Sequence, residues 1–171
     1  MTQHKNKKMK SLSGGMKRRA GIAQAVLNDP SVLILDEPTA GLDPSERIRF
    51  RNLISELASN RIVLLSTHIV SDIESVASQI LLMKNGKFVA TGTVDEILSS
   101  TPDKAWITKV PTEQMLQYHE KHRVSNVKTL GKVAELRILS PEPPTKDSVL
   151  EEITLEDVFL SYFGEKSGDE L

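Results

Sequence analysis

The sequence predicts an α/β fold, with a parallel sheet flanked by helices and a smaller α+β region after it. Short apolar runs of strand length lie at residues 32–35, 62–65 and 80–83, and helical periodicity separates them. The composition changes near residues 99–102, so we place a boundary there, giving segments 1–100 and 101–171. A chain of 171 residues has room for one domain, or one domain and an appendage.

The first helix and the first two strands have clear sequence signals. Ser13 can cap a helix that runs to about Asn28, where an Asp-Pro pair ends it. The runs at 32–35 and 62–65 are continuously apolar, which is typical of strands buried on both faces of a parallel sheet. We therefore expect both strands to be buried.

A second helix begins at Asp43, which supplies a capping acceptor. Pro44 follows at the first helical position and Glu46 lies three residues after the cap. The apolar residues then recur at helical spacing, at Phe50, Leu53, Ile54 and Leu57.

The remaining elements are predicted from shorter signals. Ile69, Ile73, Val76 and Ala77 line one face of a short helix, and 80–83 is a third strand. Asn85-Gly86 predicts a tight hairpin, and Thr93 with Glu96 predicts a capped helix. Farther on we predict strands at 106–110 and 133–139, helices at 113–119 and 154–163, a linker at 140–146, and disorder after Gly164. The first ten residues are interpreted as a loop or a frayed helix end.

Bulk composition excludes several classes of protein. Hydrophobic residues make up 39% and charged residues 26%, as in ordinary globular domains. The formal net charge of -1 gives no global attraction to nucleic acid or to anionic membranes. The chain has no cysteine, which excludes a disulfide framework and cysteine-ligated metals. No stretch approaches the ~20 apolar residues of a membrane-spanning helix, and the first ten residues lack the apolar core of a secretory signal.

A candidate phosphate contact lies at Ser13, Gly14 and Gly15. Consecutive glycines let a backbone approach a ligand closely, and a helix N-terminus offers unpaired N–H groups and a positive dipole end. The alternative is a plain capped helix after a flexible loop. The nearby Lys17, Arg18 and Arg19 are interpreted as a solvated helix face.

Candidate catalytic residues follow two of the predicted strands. Asp36 and Glu37 come directly after the first, at the carboxyl edge where open α/β sheets bind ligands. An aspartate there can hold Mg²⁺, and the neighbouring glutamate can polarise a water for attack on phosphorus. His68 follows the second strand and would face the same crevice. The alternatives are solvated acids in a turn and a structural histidine.

The order LSGGM, VLILDEP, AGLD and STH resembles the second half of an ABC-type ATPase, a P-loop NTPase. The segment MKNGKFVATGTVDEIL is also similar to that family, so the resemblance covers residues 8–99. Met16 stands where the family has glutamine. The segment ITLEDVFLSYFGE resembles the accessory region of bacterial drug, antibiotic or sodium exporters.

The resemblance implies a role for each candidate. Asp36 would assist Mg²⁺ coordination, Glu37 would be the general base or the group that positions the water, and His68 would contact the γ-phosphate. The helix tip at Ser13, Gly14 and Gly15 would clamp the γ-phosphate of ATP bound to an opposing subunit. Asp43, otherwise a helix cap, would lie at the interface of that dimer. The implied cofactors are ATP and Mg²⁺. The implied partners are a transporter membrane subunit and a second ATP-binding subunit arranged head to tail, with no nucleic acid. The implied location is cytoplasmic, at the inner face of the cell membrane.

The family's phosphate-binding loop, G-x-x-x-x-G-K-S/T, does not occur before Ser13. The superficially similar sequence at 164–167 lacks the motif's earlier glycine, the strand before it and the helix after it. We therefore expect a truncated chain that does not hydrolyse ATP alone. In the family the strand before that loop lies between those matching 62–65 and 80–83, so we expect the sheet to lack its middle. Two alternatives stay open: a regulatory or signature-donating partner of an intact ABC subunit, and a DNA-maintenance ATPase, which the lack of coiled-coil heptads disfavours.

Overall fold

The computed structural model describes residues 8–164. The chain divides into two compact units, with the division after Val76. The boundary predicted between residues 100 and 101 lies inside the second unit and stays a prediction. The expectations for the first seven residues and for the tail after Gly164 lie outside the described residues.

In the described part of the first unit, residues 8–76, three α-helices accompany a two-stranded sheet, so the predicted mixed α/β class is confirmed. A 3-10 turn at Met9–Ser11 lies before the first α-helix. The elements are α1 (Gly14–Ala25), β1 (Val32–Asp36), α2 (Pro44–Leu57), β2 (Ile62–Ser66) and α3 (Val70–Glu74). Strands β1 and β2 pair in parallel, in register from Val32 opposite Ile62 to Asp36 opposite Ser66.

Side-chain caps begin α1 and α2, as the sequence predicts. The Ser13 hydroxyl accepts the Met16 N–H at 3.3 Å, and an Asp43 carboxylate oxygen accepts the Glu46 N–H at 2.9 Å. That N–H bond, with a second from the Ser45 hydroxyl, lowers the pKa of Asp43. Helix α1 ends at Ala25, three residues before the predicted Asn28.

The burial predicted for the two strands is wrong. Leu33 and Leu35 of β1 pack with Ile22, Phe50 and Ile54 in one core. The side chains on the opposite face are between 49% and 69% exposed; they are Val32, Ile34, Ile62 and Leu64. Successive strand side chains point to opposite faces. Within the described chain the sheet has two strands, and its core is formed with α1 and α2 on one face only.

The second unit contains an antiparallel hairpin and a four-stranded antiparallel sheet in the order β6-β7-β5-β8. Its elements are β3 (Ile80–Lys84), β4 (Lys87–Gly92), α4 (Val94–Leu98), β5 (Lys104–Pro111), α5 (Met115–Lys121), β6 (Arg123–Leu130), β7 (Val133–Ser140), β8 (Val149–Glu151) and α6 (Leu155–Phe163). The third predicted strand, β3, therefore pairs antiparallel with β4 and does not extend the parallel sheet.

Local signals in the second unit are satisfied as predicted. Asn85 and Gly86 take left-handed φ values of 51° and 74°, as the tight turn between β3 and β4 requires. Thr93 and Glu96 form a reciprocal capping box at α4. Strands β6 and β8 are not predicted from the sequence. Strand β6 has a bulge between Val124 and Asn126 that interrupts its alternation, and β8 has three residues.

Helix α6 is joined to the sheet through a buried ion pair. Asp157 is 2% exposed, and its carboxylate accepts from the Arg137 guanidinium of β7 at 2.7 Å and from the Thr154 N–H at 3.0 Å. Burial would raise the pKa of Asp157, but the hydrogen bonds from Arg137 and Thr154 hold it below its usual value. The side chain is both the helix cap and the partner of a cation.

Candidate active site

Parallel pairing of β1 with β2 brings the predicted residues to one edge. Asp36 and Ser66 are paired at the ends of the strands. The Glu37 N–H donates to the Ser66 carbonyl at 2.9 Å, which extends the ladder by one residue. Glu37 then adopts a left-handed φ of 44°, uncommon for a residue with a side chain and costly without surrounding support. The backbone turns there, directly before Pro38.

Glu37 and His68, which the sequence predicts to face the same crevice, contact each other. His68 Nδ1 lies 2.7 Å from Glu37 Oε1, and the His68 backbone N–H donates to the same oxygen at 3.1 Å. The Glu37 side chain is 35% exposed and the His68 side chain is 71% exposed. An ionised carboxylate only accepts hydrogen bonds, so Nδ1 is the donor and Nε2 is left for another partner.

Asp36 has the chemistry of a magnesium contact. Its Oδ1 accepts a hydrogen bond from the Ser66 hydroxyl, and its side chain is exposed. No group of three or more His, Asp or Glu side chains in residues 8–164 could hold a metal by itself. Mg²⁺ commonly uses one or two carboxylates, with water and phosphate oxygens completing the octahedron. The residues present fit that mode.

The N-terminus of α1 presents Ser13 and Gly14 at the surface. A Cβ at Gly14 would meet no atom within 4 Å, so this position is open. A Cβ at Gly15 would lie 3.3 Å from Leu42 Cδ2, so the second glycine permits close packing against the segment before α2. The two glycines therefore have different surroundings: Gly14 is open on the side where a Cβ would be, whereas Gly15 packs against Leu42 there.

The prediction of a solvated Lys17-Arg18-Arg19 face holds for the exposed Arg19 and is wrong for Arg18. Arg18 is partly buried and donates to the Pro38 carbonyl at 3.4 Å, and Arg19 pairs with Glu46 at 3.2 Å. Lys17 is exposed, as predicted. Through these two arginines α1 contacts the turn that follows Glu37 and the first turn of α2.

Comparison with known proteins identifies the family of this site. The family model described as ABC transporter matches residues 1–40, which include the Ser13–Gly15 segment and both carboxylates. The chain is 37% identical over 122 residues to YxlF of Bacillus subtilis, an uncharacterized ABC transporter ATP-binding protein, covering 71% of this chain and 41% of that protein. It is 32% identical over 181 residues to Nod factor export ATP-binding protein I of Burkholderia orbicola, covering 95% of this chain and 57% of that protein. The chain belongs to the ABC transporter ATP-binding family.

Other similarities fall in the same ABC transporter family. An uncharacterized ABC transporter ATP-binding protein of Nostoc, all4389, is 41% identical over 95 residues, covering 55% of this chain and 28% of that protein. A solved ATP-binding cassette of an ABC transporter has a TM-score of 0.49 and 25% identity, covering 54% of this chain and 37% of that one. The chain thus spans between 28% and 57% of the length of these three curated relatives. Among the described residues no helix has both the length and the apolarity to cross a bilayer.

Two polar residues of the site were missed by sequence reasoning. Ser66 and Thr67 contact Asp36 and Glu37, respectively. The available signal was the pair of hydroxyl residues between the second apolar run and His68. Serine and threonine there are also ordinary strand-end residues, so composition gave no reason to single them out.

Proposed function

We propose that the chain contributes the hydrolytic residues of an ATP-binding subunit of an ABC transporter of the exporter type. The observation that supports this most strongly is the 2.7 Å contact between His68 Nδ1 and Glu37 Oε1 beside Asp36. Export is favoured because several relatives carry the name Nod factor export ATP-binding protein I. The membrane subunit would then choose the transported compound.

The surroundings of Glu37, His68 and Asp36 are compatible with a different role for each side chain in ATP hydrolysis. Glu37 would orient the attacking water and accept its proton. His68 directs Nδ1 to Glu37, so Nε2 could donate to a γ-phosphate oxygen only from a protonated imidazole. Asp36 would contribute a carboxylate oxygen to Mg²⁺, which, when bound with ATP, neutralises charge on the phosphates.

The tip of α1 would act on a second nucleotide. The Ser13 oxygen accepts the Met16 N–H, which leaves its proton free to donate to a phosphate oxygen. Gly14 is open to approach. We propose that Ser13, Gly14 and Gly15 contact the γ-phosphate of ATP held by a second ATP-binding subunit, with Asp43 at the seam. Such an assembly would lie against a membrane subunit at the cytoplasmic face.

A narrower function is the second candidate. Because the 171 residues contain no G-x-x-x-x-G-K-S/T segment, we propose that they do not turn over ATP by themselves. The chain could still offer the exposed Ser13–Gly14 tip to an intact subunit. In that case Glu37 would not affect turnover, whereas Gly14 would.

A chimera separates the two functions. The chain's residues replace the region of YxlF that they match, and ATP turnover is measured for Glu37→Gln and for Glu56→Gln, an exposed carboxylate in α2. We expect Glu37→Gln to lower turnover at least ~100-fold, as loss of a general base does, and Glu56→Gln to leave it unchanged. Equal turnover in the two variants would refute the hydrolytic role.

The tip of α1 is tested in the same chimera with a matched pair of glycines. Neither Gly14 nor Gly21 has an atom within 4 Å of an added Cβ, so an aspartate fits at both. Gly14→Asp brings negative charge to the open tip and should abolish turnover, whereas Gly21→Asp, farther along α1, should retain it. Loss of activity in Gly14→Asp alone, with Glu37→Gln fully active, would support the signature-donating function.

A further inference from the structure

Two consecutive hydroxyl residues follow β2, and each contacts one of the two consecutive carboxylates that follow β1. We infer that Ser66 and Thr67 are positioning residues, Ser66 for Asp36 and Thr67 for Glu37. The inference rests on the proposed function, since it concerns the same site. It assigns a separate task to each hydroxyl and predicts that the two can be separated by experiment.

The register of the parallel strands creates this pairing. Asp36 and Ser66 are directly paired, and the Glu37 N–H bonds to the Ser66 carbonyl, so both strands end at the same level. Paired residues of neighbouring strands carry side chains on the same face of the sheet. The match of Ser66 to Asp36 therefore follows from backbone pairing, and Thr67 and Glu37 are the residues that come next after the two strands.

Ser66 fixes the orientation of the Asp36 carboxylate. An ionised carboxylate only accepts, so the Ser66 hydroxyl must be the donor to Asp36 Oδ1. Among the described side chains, Ser66 is the group bonded to this carboxylate, and the other oxygen stays available to a metal-bound water or a metal. Without the hydroxyl, the exposed Asp36 side chain would sample other rotamers.

Thr67 holds the side of the Glu37 carboxylate that His68 does not. Both donors of His68 bond to Oε1, while Thr67 Oγ1 lies 3.4 Å from Oε2. The Thr67 oxygen accepts the Ile69 N–H at 3.0 Å, so its single proton is left for Glu37. The 3.4 Å contact is long, and we expect a smaller effect from Thr67 than from Ser66.

Carboxyl carbon signals test the inference on the full chain without nucleotide. The ¹³C shifts of Asp36 Cγ and Glu37 Cδ are compared at neutral pH in Ser66→Ala and Thr67→Val, with Ser66→Thr and Thr67→Ser as matched variants that keep the hydroxyl. Ser66→Ala should move the Asp36 signal alone, and Thr67→Val should move the Glu37 signal alone. The hydroxyl-retaining variants should restore both positions.

If Ser66 and Thr67 only supported the strand end in general, loss of one hydroxyl would not move the signal of a single carboxylate. If each deletion moves both signals alike, or if neither signal moves, the inference is wrong. Ser66 is exposed and Thr67 is half-buried at a strand end, so the fold should tolerate all four substitutions. The matched variants serve as the check, because a signal lost in Ser66→Thr as well as in Ser66→Ala would indicate damage to the strand and also contradict the inference.

Kinetics of the YxlF chimera complete the test. Ser66→Ala should raise the half-saturating Mg²⁺ concentration about 10-fold with little change in kcat, the typical effect of losing a group that orients a metal contact. Thr67→Val should lower kcat and leave the KM for ATP unchanged. Wild-type kinetics in both variants would overturn the inference. A chimera that hydrolyses no ATP would count against the proposed function, whereas the carboxyl signals would still decide the pairing.

Discussion

Removing the Asp157 carboxylate should destabilise the second unit, because this side chain belongs to both a buried ion pair and a helix cap. In Asp157→Ala the Arg137 guanidinium, 16% exposed, loses its buried partner and keeps Glu151, which is half exposed. Helix α6 also loses its reciprocal cap with Thr154.

The magnitude follows from these losses. Breaking a buried pair by removing one partner costs about 3–5 kcal/mol. Because Glu151 and the Glu152 carbonyl still accept from Arg137, we expect the lower end, about 3 kcal/mol, with the lost cap included. At a urea m-value of about 1.5 kcal/mol per molar, the unfolding midpoint should fall by about 2 M.

Trp106 provides the assay. It is the chain's single tryptophan, it lies in β5, and its indole N–H donates to the Ser140 carbonyl at 3.0 Å, so its fluorescence reports on the four-stranded sheet. Glu156→Ala is the control, since it removes an exposed carboxylate from the same helical turn and should change stability by less than about 0.5 kcal/mol.

A double variant distinguishes the ion pair from the cap. Arg137→Met combined with Asp157→Ala leaves no buried unpaired charge, so it should cost less than the sum of the two single changes. Equal urea midpoints for Asp157→Ala and Glu156→Ala would refute the reasoning, as would strict additivity in the double variant.

Three further predictions concern local features. Burial lowers the pKa of His122, so its imidazole binds a proton more readily in the unfolded chain than in the folded one. The urea midpoint should therefore fall as the pH drops below about 6.5, and His122→Gln should remove this pH dependence. The same pH dependence in His122→Gln as in the parent would contradict the prediction. Asp43→Ala should speed hydrogen exchange of the amide it caps, whereas Asp43→Asn should keep it protected, and equal exchange in both would argue against the cap. A Cβ at Gly92 would lie 2.5 Å from Glu96 Oε2, so Gly92→Ala should cost about 1–3 kcal/mol. Gly131→Ala should lower the free energy of unfolding by less, because an added Cβ meets no atom within 4 Å there, although φ is positive. A larger loss of stability in Gly131→Ala than in Gly92→Ala would contradict this packing argument.

Local chemistry could be predicted from the sequence because it depends on adjacent residues. Helix caps and a tight turn form at the residues whose types favour them. The caps are at Ser13, Asp43, Thr93 and Thr154, and the turn is at Asn85-Gly86. The contact between the side chains after β1 and β2 was also predictable, since parallel strands end at the same edge of a sheet.

Properties that depend on distant neighbours were not predictable in the same way. The apolar run around Ile34 indicates a strand but not how many layers cover it, and here one face is exposed. The alternation of β6 is interrupted by a bulge beside Val124. The contacts of Arg18 with Pro38 and of Ser66 with Asp36 require the register and the helix position, which no local pattern of these residue types encodes.

The central claim is that Glu37 and His68 act together on the terminal phosphate of ATP, and single-turnover hydrolysis in the YxlF chimera tests it most directly. The rates of Glu37→Gln, His68→Ala and the double variant are compared with the parent at saturating ATP. Residues that act as a unit are not additive, so the double variant should be no slower than the more damaged single variant. If the two losses simply multiply, or if both single variants cleave ATP at the parent rate, the two side chains do not work as a pair.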